Sequence, residues 1–262
     1  MQLRNNFFYN LSKDFFYYLE YRKLYAKLGK IKGGFVDITY GGLEMRFLCS
    51  PYFVGKAYVS KYQSFDLYFF KNEMDGYLKK YSLKSGDVVF DCGAFHGNFA
   101  IYASKILGSS GKVYCFEPDE ESYKILETNV KLNNCENVIL VKAGLYSREM
   151  KIRFKSGNVG SSIDVNGDTE INVVSLDNYL VQNGLDMEKV CFIKMDIEGA
   201  EIDALDGMRN LLMEGKPNLA IASYHIVDGK QSCELVEIFL KKLGYSAETG
   251  FPAHLTTYAW KE

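Results

Sequence analysis

The stretch Asp87-Val88-Val89-Phe90-Asp91-Cys92-Gly93-Ala94-Phe95-His96-Gly97-Asn98 decides the fold of this chain. It begins with a short, mostly apolar run, continues into a turn that contains two glycines, and leads into a helical pattern from Asn98 to Leu107. A strand that enters a helix through a glycine turn leaves bare backbone against which a ligand can lie. The sequence therefore predicts that an α/β nucleotide-binding domain starts near this stretch.

The acid that ends this first strand discriminates between classes of nucleotide. Dinucleotide-binding folds carry G-x-G-x-x-G at this turn, whereas Asp91, Gly93 and Gly97 are spaced as Asp-x-Gly-x-x-x-Gly. A carboxylate would repel a pyrophosphate and would attract the cationic amino group of S-adenosylmethionine. The pattern favours a sulfonium cofactor and argues against an NAD-dependent oxidoreductase, although an acid in this position can also serve only to cap the turn.

Further strands and helices alternate along the chain. Apolar runs that are typical of buried strands occupy residues 112–116, 137–141, 190–195 and 218–223, and two more strands are expected at 244–247 and 255–260. A helix that opens with the acidic residues 119–121 is predicted to end at Leu132. Continuous apolar strands separated by helices predict a Rossmann-like, mostly parallel sheet with helices on both faces.

Two other acids are expected to share the crevice of Asp91. Glu117, followed by Pro118, ends the second strand, and Asp196 ends the fourth. Ligands of open α/β sheets bind outside the carboxyl ends of the strands, so these side chains should face one site. A carboxylate in the position of Glu117 can accept hydrogen bonds from both hydroxyls of a ribose. The alternative is that Glu117 is an ordinary loop acid.

Residues 1–82 are predicted to form an aromatic-rich extension to the cofactor-binding domain, which is predicted at 83–262. Helices are expected at 6–28 and 62–80, with strands at 35–39 and 43–48 around a turn at Gly41-Gly42. The aromatic face of the first helix is expected to pack on the main domain or on a second copy in a homodimer, in preference to acting as a lid or lying on a membrane. We expect the extension to act on the acceptor and not on the cofactor.

Composition excludes several classes of function. The 262 residues carry a formal net charge of -2 with a pI of about 6.0, which disfavours binding to a nucleic-acid backbone. The six cysteines form no C-x-x-C pair, and this indicates reduced thiols in a cytoplasmic protein. The sequence shows no signal peptide and no transmembrane run of ~20 apolar residues.

Five motifs resemble the FkbM family of methyltransferases: 86–97, Phe116-Glu117-Pro118, Val174-Ser175-Leu176-Asp177, 193–201 and the Ser223-Tyr224-His225 ending of the fifth strand. The resemblance implies a class I methyltransferase sheet whose final strand, near Leu255–Trp260, is antiparallel. It implies that S-adenosylmethionine is the cofactor and that an oxygen is methylated. One departure is at 142–145, where Lys-Ala-Gly-Leu stands in place of the more usual Ala-Leu-Ser. The cofactor site is expected to comprise Asp91, Gly93, Ala94, His96, Gly97, Asn98, Glu117, Pro118 and Ala143.

His225 is the first candidate for a catalytic base and Asp196 the second. Imidazole titrates near neutrality, but His225 can equally be a structural histidine, and Asp196 can instead orient the substrate or hold a cation. Asp196, Glu198 and Glu201 offer hard oxygen ligands for Mg²⁺ or Ca²⁺. Because helix-adjacent acids are more often solvated, we expect no obligatory metal. His254 has no assigned role.

The expected function is methylation of a hydroxyl on a small molecule, namely a sugar or natural product, or on a glycan. The alternatives left open are a lipid or protein acceptor, and a non-catalytic binding subunit with a methyltransferase fold.

Overall fold

In a computed structural model of the chain, the residues whose structure is described are 29–32, 35–48, 53–54, 57–58, 67–155, 162–163, 167, 169–227, 229–251 and 255–261. The chain divides into two compact units, Met1–Lys71 and Asn72–Glu262. The helix predicted at 6–28 lies outside the described residues, and the domain division at 82 stays a prediction. No helix within the described ranges is long and apolar enough to cross a bilayer.

The first unit contains small antiparallel sheets. Its strands are β1 (Gly29–Lys32), β2 (Phe35–Tyr40), β3 (Leu43–Leu48), β4 (Phe53–Val54) and β5 (Ala57–Tyr58). Strands β1, β2 and β3 pair in that order, and β4 pairs with β5. Gly41 and Gly42, at φ 58° and 79°, form the predicted two-residue turn between β2 and β3. Helix α1 (Leu67–Tyr77) begins in this unit and ends in the next, within the predicted range 62–80.

The second unit is built around a seven-stranded sheet. Its elements are β6 (Val88–Cys92), α2 (Asn98–Leu107), β7 (Lys112–Phe116), α3 (Glu120–Leu132), β8 (Val138–Val141), β9 (Gly144–Leu145), β10 (Met150–Lys155), β11 (Ser162–Ile163), β12 (Thr169–Val174), α4 (Leu176–Gln182), β13 (Val190–Met195), α5 (Glu201–Asp206), α6 (Arg209–Glu214), β14 (Asn218–Ala222), β15 (Ile226–Val227), β16 (Lys230–Gln231), α7 (Ser232–Lys242), β17 (Ser246–Gly250) and β18 (Thr256–Trp260). The strand order is β17-β18-β14-β13-β6-β7-β8. Strand β18 runs antiparallel to both its neighbours, and the other pairs are parallel.

Side-chain carboxylates accept hydrogen bonds from the free backbone N–H groups at the start of two helices. Asp119 caps α3 by accepting hydrogen bonds from the backbone N–H groups of Glu121 and Ser122, at 3.1 and 2.9 Å. Asp177 accepts from Asn210 N and Leu211 N, both at 2.9 Å, so one carboxylate from α4 satisfies the start of α6. This explains in structural terms why an acid occurs in the motif at 174–177.

A second sheet was not predicted. Strands β9 to β12 form a four-stranded sheet in the order β11-β10-β12-β9, inserted between β8 and β13. Strand β10 reads Met-Lys-Ile-Arg-Phe-Lys, so apolar and charged residues alternate. Such alternation is typical of a strand with one buried face, and Phe154 is indeed buried while its neighbours are exposed.

The turns that follow the central strands are held against each other. Gly93 has φ +76°, and a Cβ atom on it would lie 1.9 Å from the carbonyl oxygen of Asp196. The backbone of Asp196 donates to Cys92 O at 2.9 Å, and Gly93 N donates to Phe116 O at 3.0 Å. The ends of β6, β7 and β13 therefore approach so closely that only glycine fits at this position.

We predict that Gly93→Ala destabilises the protein far more than Gly184→Ala. Gly184 also has positive φ, at 61°, but a Cβ there would meet nothing within 4 Å, so its replacement adds only backbone strain of about 1–2 kcal/mol. Gly93→Ala adds a clash with backbone and should lower the free energy of unfolding by more than ~3 kcal/mol. Urea titration of both variants provides the measurement, and equal losses would contradict the close approach.

Candidate active site

The described structure brings the predicted site residues to one edge of the sheet. Asp91 lies at the end of β6, Glu117 directly follows β7, and Asp196 directly follows β13. His225 follows β14, the next strand of the sheet. These four side chains therefore extend along the carboxyl ends of four adjacent strands, where open α/β sheets bind ligands.

Asp91 is paired with a lysine that the sequence analysis did not assign. The carboxylate is fully buried, and the Lys194 ammonium lies 3.0 Å from its Oδ1. The same Nζ donates a hydrogen bond of 2.6 Å to Gly93 O and lies 5.3 Å from the centre of the Tyr77 ring. The negative charge that was expected to attract a cationic ligand is thus countered inside the protein.

Opposing effects set the ionisation of this pair. Burial raises the pKa of Asp91, and the neighbouring ammonium of Lys194 works against that rise. Burial alone would lower the pKa of Lys194, but the surrounding carboxylates, Asp91 and Asp196 foremost, outweigh burial and raise it. Lys194 therefore keeps its positive charge, and the carboxylate of Asp91 is the counterion that stabilises this buried ammonium.

Glu117 is buried and holds the backbone of two turns. Its Oε2 accepts a hydrogen bond from Phe95 N at 2.8 Å, and its Oε1 accepts from Asp119 N at 2.9 Å. Burial raises the pKa of Glu117 to about 7, although the two backbone N–H groups oppose this change. A carboxylate has about four acceptor positions, so each oxygen keeps capacity for one further donor.

The glycine turn has three residues in the left-handed region, of which Gly93 has φ +76°. Gly97, the N-cap of α2, has φ +87°, and Phe95 has φ +49°. The ring of His96 is buried and stacks on that of Phe95, with the ring centres 3.6 Å apart. A non-glycine residue in the left-handed region stores strain that is common at ligand sites.

The remaining predicted cofactor residues lie around this turn and the next strands. Asn98 Nδ2 donates to Glu73 Oε2 at 3.2 Å, and Asn98 Oδ1 is buried with no hydrogen-bond donor among the described residues. Ala94 is buried, with its N–H bonded to Phe116 O, and Pro118 is half-buried. Ala143, beyond the end of β8, is buried as well.

A second group of polar residues lies beside the end of β13. Asp196 accepts hydrogen bonds from two tyrosines, Tyr77 at Oδ2 (2.9 Å) and Tyr224 at Oδ1 (3.3 Å). His225 Nε2 lies 3.1 Å from Glu198 Oε2, and His225 Nδ1 lies 3.3 Å from Glu201 Oε1 in a charge contact. Both candidate catalytic residues and all three candidate acidic ligands therefore belong to one cluster.

The carboxylates of Glu198 and Glu201 determine the protonation state of His225. Burial would lower its pKa, but the contacts with Glu198 and Glu201 outweigh burial and raise the pKa to about 10. In these surroundings the imidazole retains its proton at neutral pH and acts as a donor. A role as general base would require that something displace this proton, and the choice between His225 and Asp196 stays a prediction. His254 lies outside the described residues.

Sequence reasoning missed Lys194, Tyr77 and Tyr224. Lys194 could have been found, because it is the one charge within the apolar run 190–195. Tyr224 lies beside His225 in a motif that had been noted. Tyr77 carries no such signal, since it precedes Asp196 by 119 residues and is one of 20 tyrosines.

Comparison with known proteins places these residues in a family. Residues 91–247 match the family described as Methyltransferase FkbM domain. A hexuronic acid methyltransferase, AglP of Haloferax volcanii, is 29% identical over 155 residues, which cover 57% of this chain and 61% of that protein. A probable cobalt-precorrin-6B C(15)-methyltransferase (decarboxylating) of Saccharolobus solfataricus is 26% identical over 59% of this chain and 83% of that protein.

Solved structures resemble the chain at lower identity. An FkbM methyltransferase of Methylobacillus flagellatus has a TM-score of 0.50 at 23% identity, covering 67% of this chain and 44% of its own. A precorrin-6y C5,15-methyltransferase of Geobacter metallireducens has a TM-score of 0.51 at 15% identity, covering 78% of this chain and 93% of its own. These likenesses confirm the predicted class I methyltransferase fold.

We predict that Lys194→Met costs ~3–5 kcal/mol of unfolding free energy, because it leaves Asp91 as an uncompensated buried charge. The double variant Asp91→Asn/Lys194→Met should recover part of this loss, since it buries no charge. A matched control is Lys151→Met, which removes an exposed lysine 3.8 Å from Glu170 and should change stability by less than ~1 kcal/mol. If the losses of the two single variants, Asp91→Asn and Lys194→Met, simply add in the double variant, as judged by urea titration, the two side chains are not coupled.

Proposed function

Because this chain belongs to the FkbM methyltransferase family and S-adenosylmethionine is its cofactor, we propose that it methylates a hydroxyl group of a sugar, glycan or natural product. The observation that carries the proposal is the arrangement of the crevice. Glu117 and the glycine turn lie at the ends of β6 and β7, and the cluster around Asp196 lies at the ends of β13 and β14. One half suits a nucleoside and the other suits a polar acceptor.

The residues of the first half fit the cofactor. Glu117 has an acceptor position left on each oxygen for the two ribose hydroxyls, and the buried Oδ1 of Asn98 lacks a donor within the described chain. The turn 93–97 lies beside Glu117, which accepts a hydrogen bond from Phe95 N, and we assign Ala94, His96, Pro118 and Ala143 to packing against the cofactor. When bound, S-adenosylmethionine supplies an electrophilic methyl group on its sulfonium.

The second half would orient the acceptor. Burial raises the pKa of both Tyr77 and Tyr224, as does the nearby carboxylate of Asp196, so both hydroxyls keep their protons and fix that carboxylate in place. Tyr224 is 39% exposed and Ile226, two residues further on, is 67% exposed. Exposed apolar surface of this kind suits the apolar face of a sugar.

Positioning should contribute more than proton transfer. Aligning two reactants can lower a barrier by ~7–11 kcal/mol, whereas a general base contributes about 10²–10⁴-fold. We therefore assign orientation of the acceptor to Asp196, with His225 or Asp196 as the base. The matched region spans 61% of the first curated relative, so the acceptor of the whole protein is itself a proposal, as is a contribution of residues 1–82 to acceptor binding or to a homodimer.

The binding of the nucleoside part of the cofactor should depend on pH. Because the pKa of Glu117 is about 7, its ionised fraction rises from about a tenth at pH 6 to about nine tenths at pH 8. We expect 5′-methylthioadenosine, which has the ribose but lacks the amino acid, to bind about tenfold more tightly at pH 8, as measured by calorimetry. Glu117→Gln should abolish this dependence, and Glu121→Gln, which alters an exposed neighbour, should retain it. An unchanged pH dependence in Glu117→Gln would remove Glu117 from the site.

The methylated product tests the reaction itself. With methyl-labelled S-adenosylmethionine and a panel of neutral and uronic-acid glycans, lipids and peptides, we expect label in an ether that resists mild base. Asp196→Asn should reduce transfer by at least tenfold while cofactor binding stays within a few-fold, and Glu170→Gln, an exposed substitution on the inserted sheet, should have no effect. Label in a base-labile ester or on a peptide would replace the proposed acceptor, and no transfer to any class would favour a binding subunit.

A further inference from the structure

Three side chains beside the crevice form a compact set of metal ligands. One ligand atom from each of Asp196, Glu198 and His225 lies within 4.8 Å of the other two. The sequence analysis considered only acids at this position and expected no obligatory metal, because acids near a helix are usually solvated. The fold adds the imidazole of His225, which follows β14 and is not adjacent in sequence, and this changes the chemistry of the set.

The spacing agrees with coordination of one ion. Two ligands at right angles around a cation with bonds of about 2.1 Å lie about 3.0 Å apart. His225 Nε2 and Glu198 Oε2 are 3.1 Å apart. Asp196 is fixed by hydrogen bonds from Tyr77 and Tyr224, and ligating carboxylates are ordinarily held in this way.

Glu201 provides an independent observation. This carboxylate is fully buried, its Oε1 lies 3.3 Å from His225 Nδ1, and its Oε2 has no hydrogen-bond partner among the described residues. A histidine that binds a metal through one nitrogen almost always directs its other nitrogen to a carboxylate or carbonyl, which fixes the tautomer. Glu201 stands where that outer carboxylate is needed.

Charge also points to a cation. The cluster contains the carboxylates of Asp196, Glu198 and Glu201 beside one imidazole, so these four side chains carry a formal charge of minus three when His225 is neutral, the form that can bind a metal. Lys194 is the nearby ammonium, and its close ion pair is with Asp91. A divalent ion would offset two of these three negative charges.

We propose that Asp196, Glu198 and His225 bind one divalent metal cation, with Glu201 as the outer partner of the histidine. A mixed set of imidazole and carboxylate suits Mn²⁺ or Zn²⁺ better than Mg²⁺ or Ca²⁺, which prefer oxygen alone. Three protein ligands leave coordination positions open on the ion. Acceptor hydroxyls could occupy those positions, so the site deepens the proposed function without depending on the identity of the acceptor.

Mn²⁺ binding tests the proposal directly. The full chain is treated with a chelator, exchanged into metal-free buffer and titrated with Mn²⁺, and free Mn²⁺ is followed by electron paramagnetic resonance. We expect saturation at one ion per chain. Glu198→Gln and His225→Gln should each weaken binding by at least tenfold, whereas Glu188→Gln, an exposed acid outside the cluster, should leave it unchanged.

Three results would overturn the site: no saturable binding, binding that survives both substitutions, or equal weakening by the control. If the variants fail to fold, Mn²⁺ binding can still be tested on the wild-type protein through the nuclear magnetic resonance signals of its three histidines. Substoichiometric Mn²⁺ should broaden the signal of His225, identified by its retention in His96→Gln and His254→Gln. The assay involves no methyl transfer, so a failed metal site leaves the proposed methylation standing, and the converse also holds.

Discussion

The ion pair between Lys194 and Asp91 connects the two central strands of the large sheet. The pair lies between β13 and β6, in a region where every neighbouring side chain of β13 is apolar. A charge buried there is tolerated only with its partner, because an isolated ion in such a place would be strongly disfavoured. The ammonium also donates to Gly93 O, so the same contact positions the glycine turn. Strand pairing, turn conformation and the charge of the crevice therefore depend on one interaction.

The close approach of Gly93 to Asp196 also matters for the proposed function. Gly93 belongs to the turn that we assign to the cofactor, and Asp196 belongs to the cluster that we assign to the acceptor and to a metal ion. A gap too small for one methyl group separates their backbones. Methyl transfer requires two reactants to be held within a few ångströms of each other, and the rigid contact between these turns provides a fixed reference for both.

The sequence predicted the large sheet well, because its strands are continuous apolar runs bounded by turn residues. Strands such as 112–116 and 190–195 agree with the structure residue for residue. The inserted sheet was not predicted, although apolar and charged residues alternate in Met150–Lys155. A short alternating segment gives a weaker strand signal than the longer apolar runs on either side of it. The acids of the crevice were predictable because each ends a strand. The contacts that these side chains make were not predictable. Tyr77 contacts Asp196, and Glu201 contacts His225, only through the tertiary fold, which leaves no signal in local periodicity.

The final strand has a consequence for how this protein is made. Strand β18 lies inside the sheet, between β17 and β14, and its Tyr258 hydroxyl donates to the carbonyl of Gly76 at 2.7 Å. Gly76 precedes Tyr77, which donates a hydrogen bond to Asp196, so β18 and α1 meet beside the crevice. Until β18 leaves the ribosome, the nascent chain exposes an open sheet edge at β14. The contact of Tyr258 with Gly76 therefore forms only after β18 has emerged, later than the strands that carry the acids of the crevice.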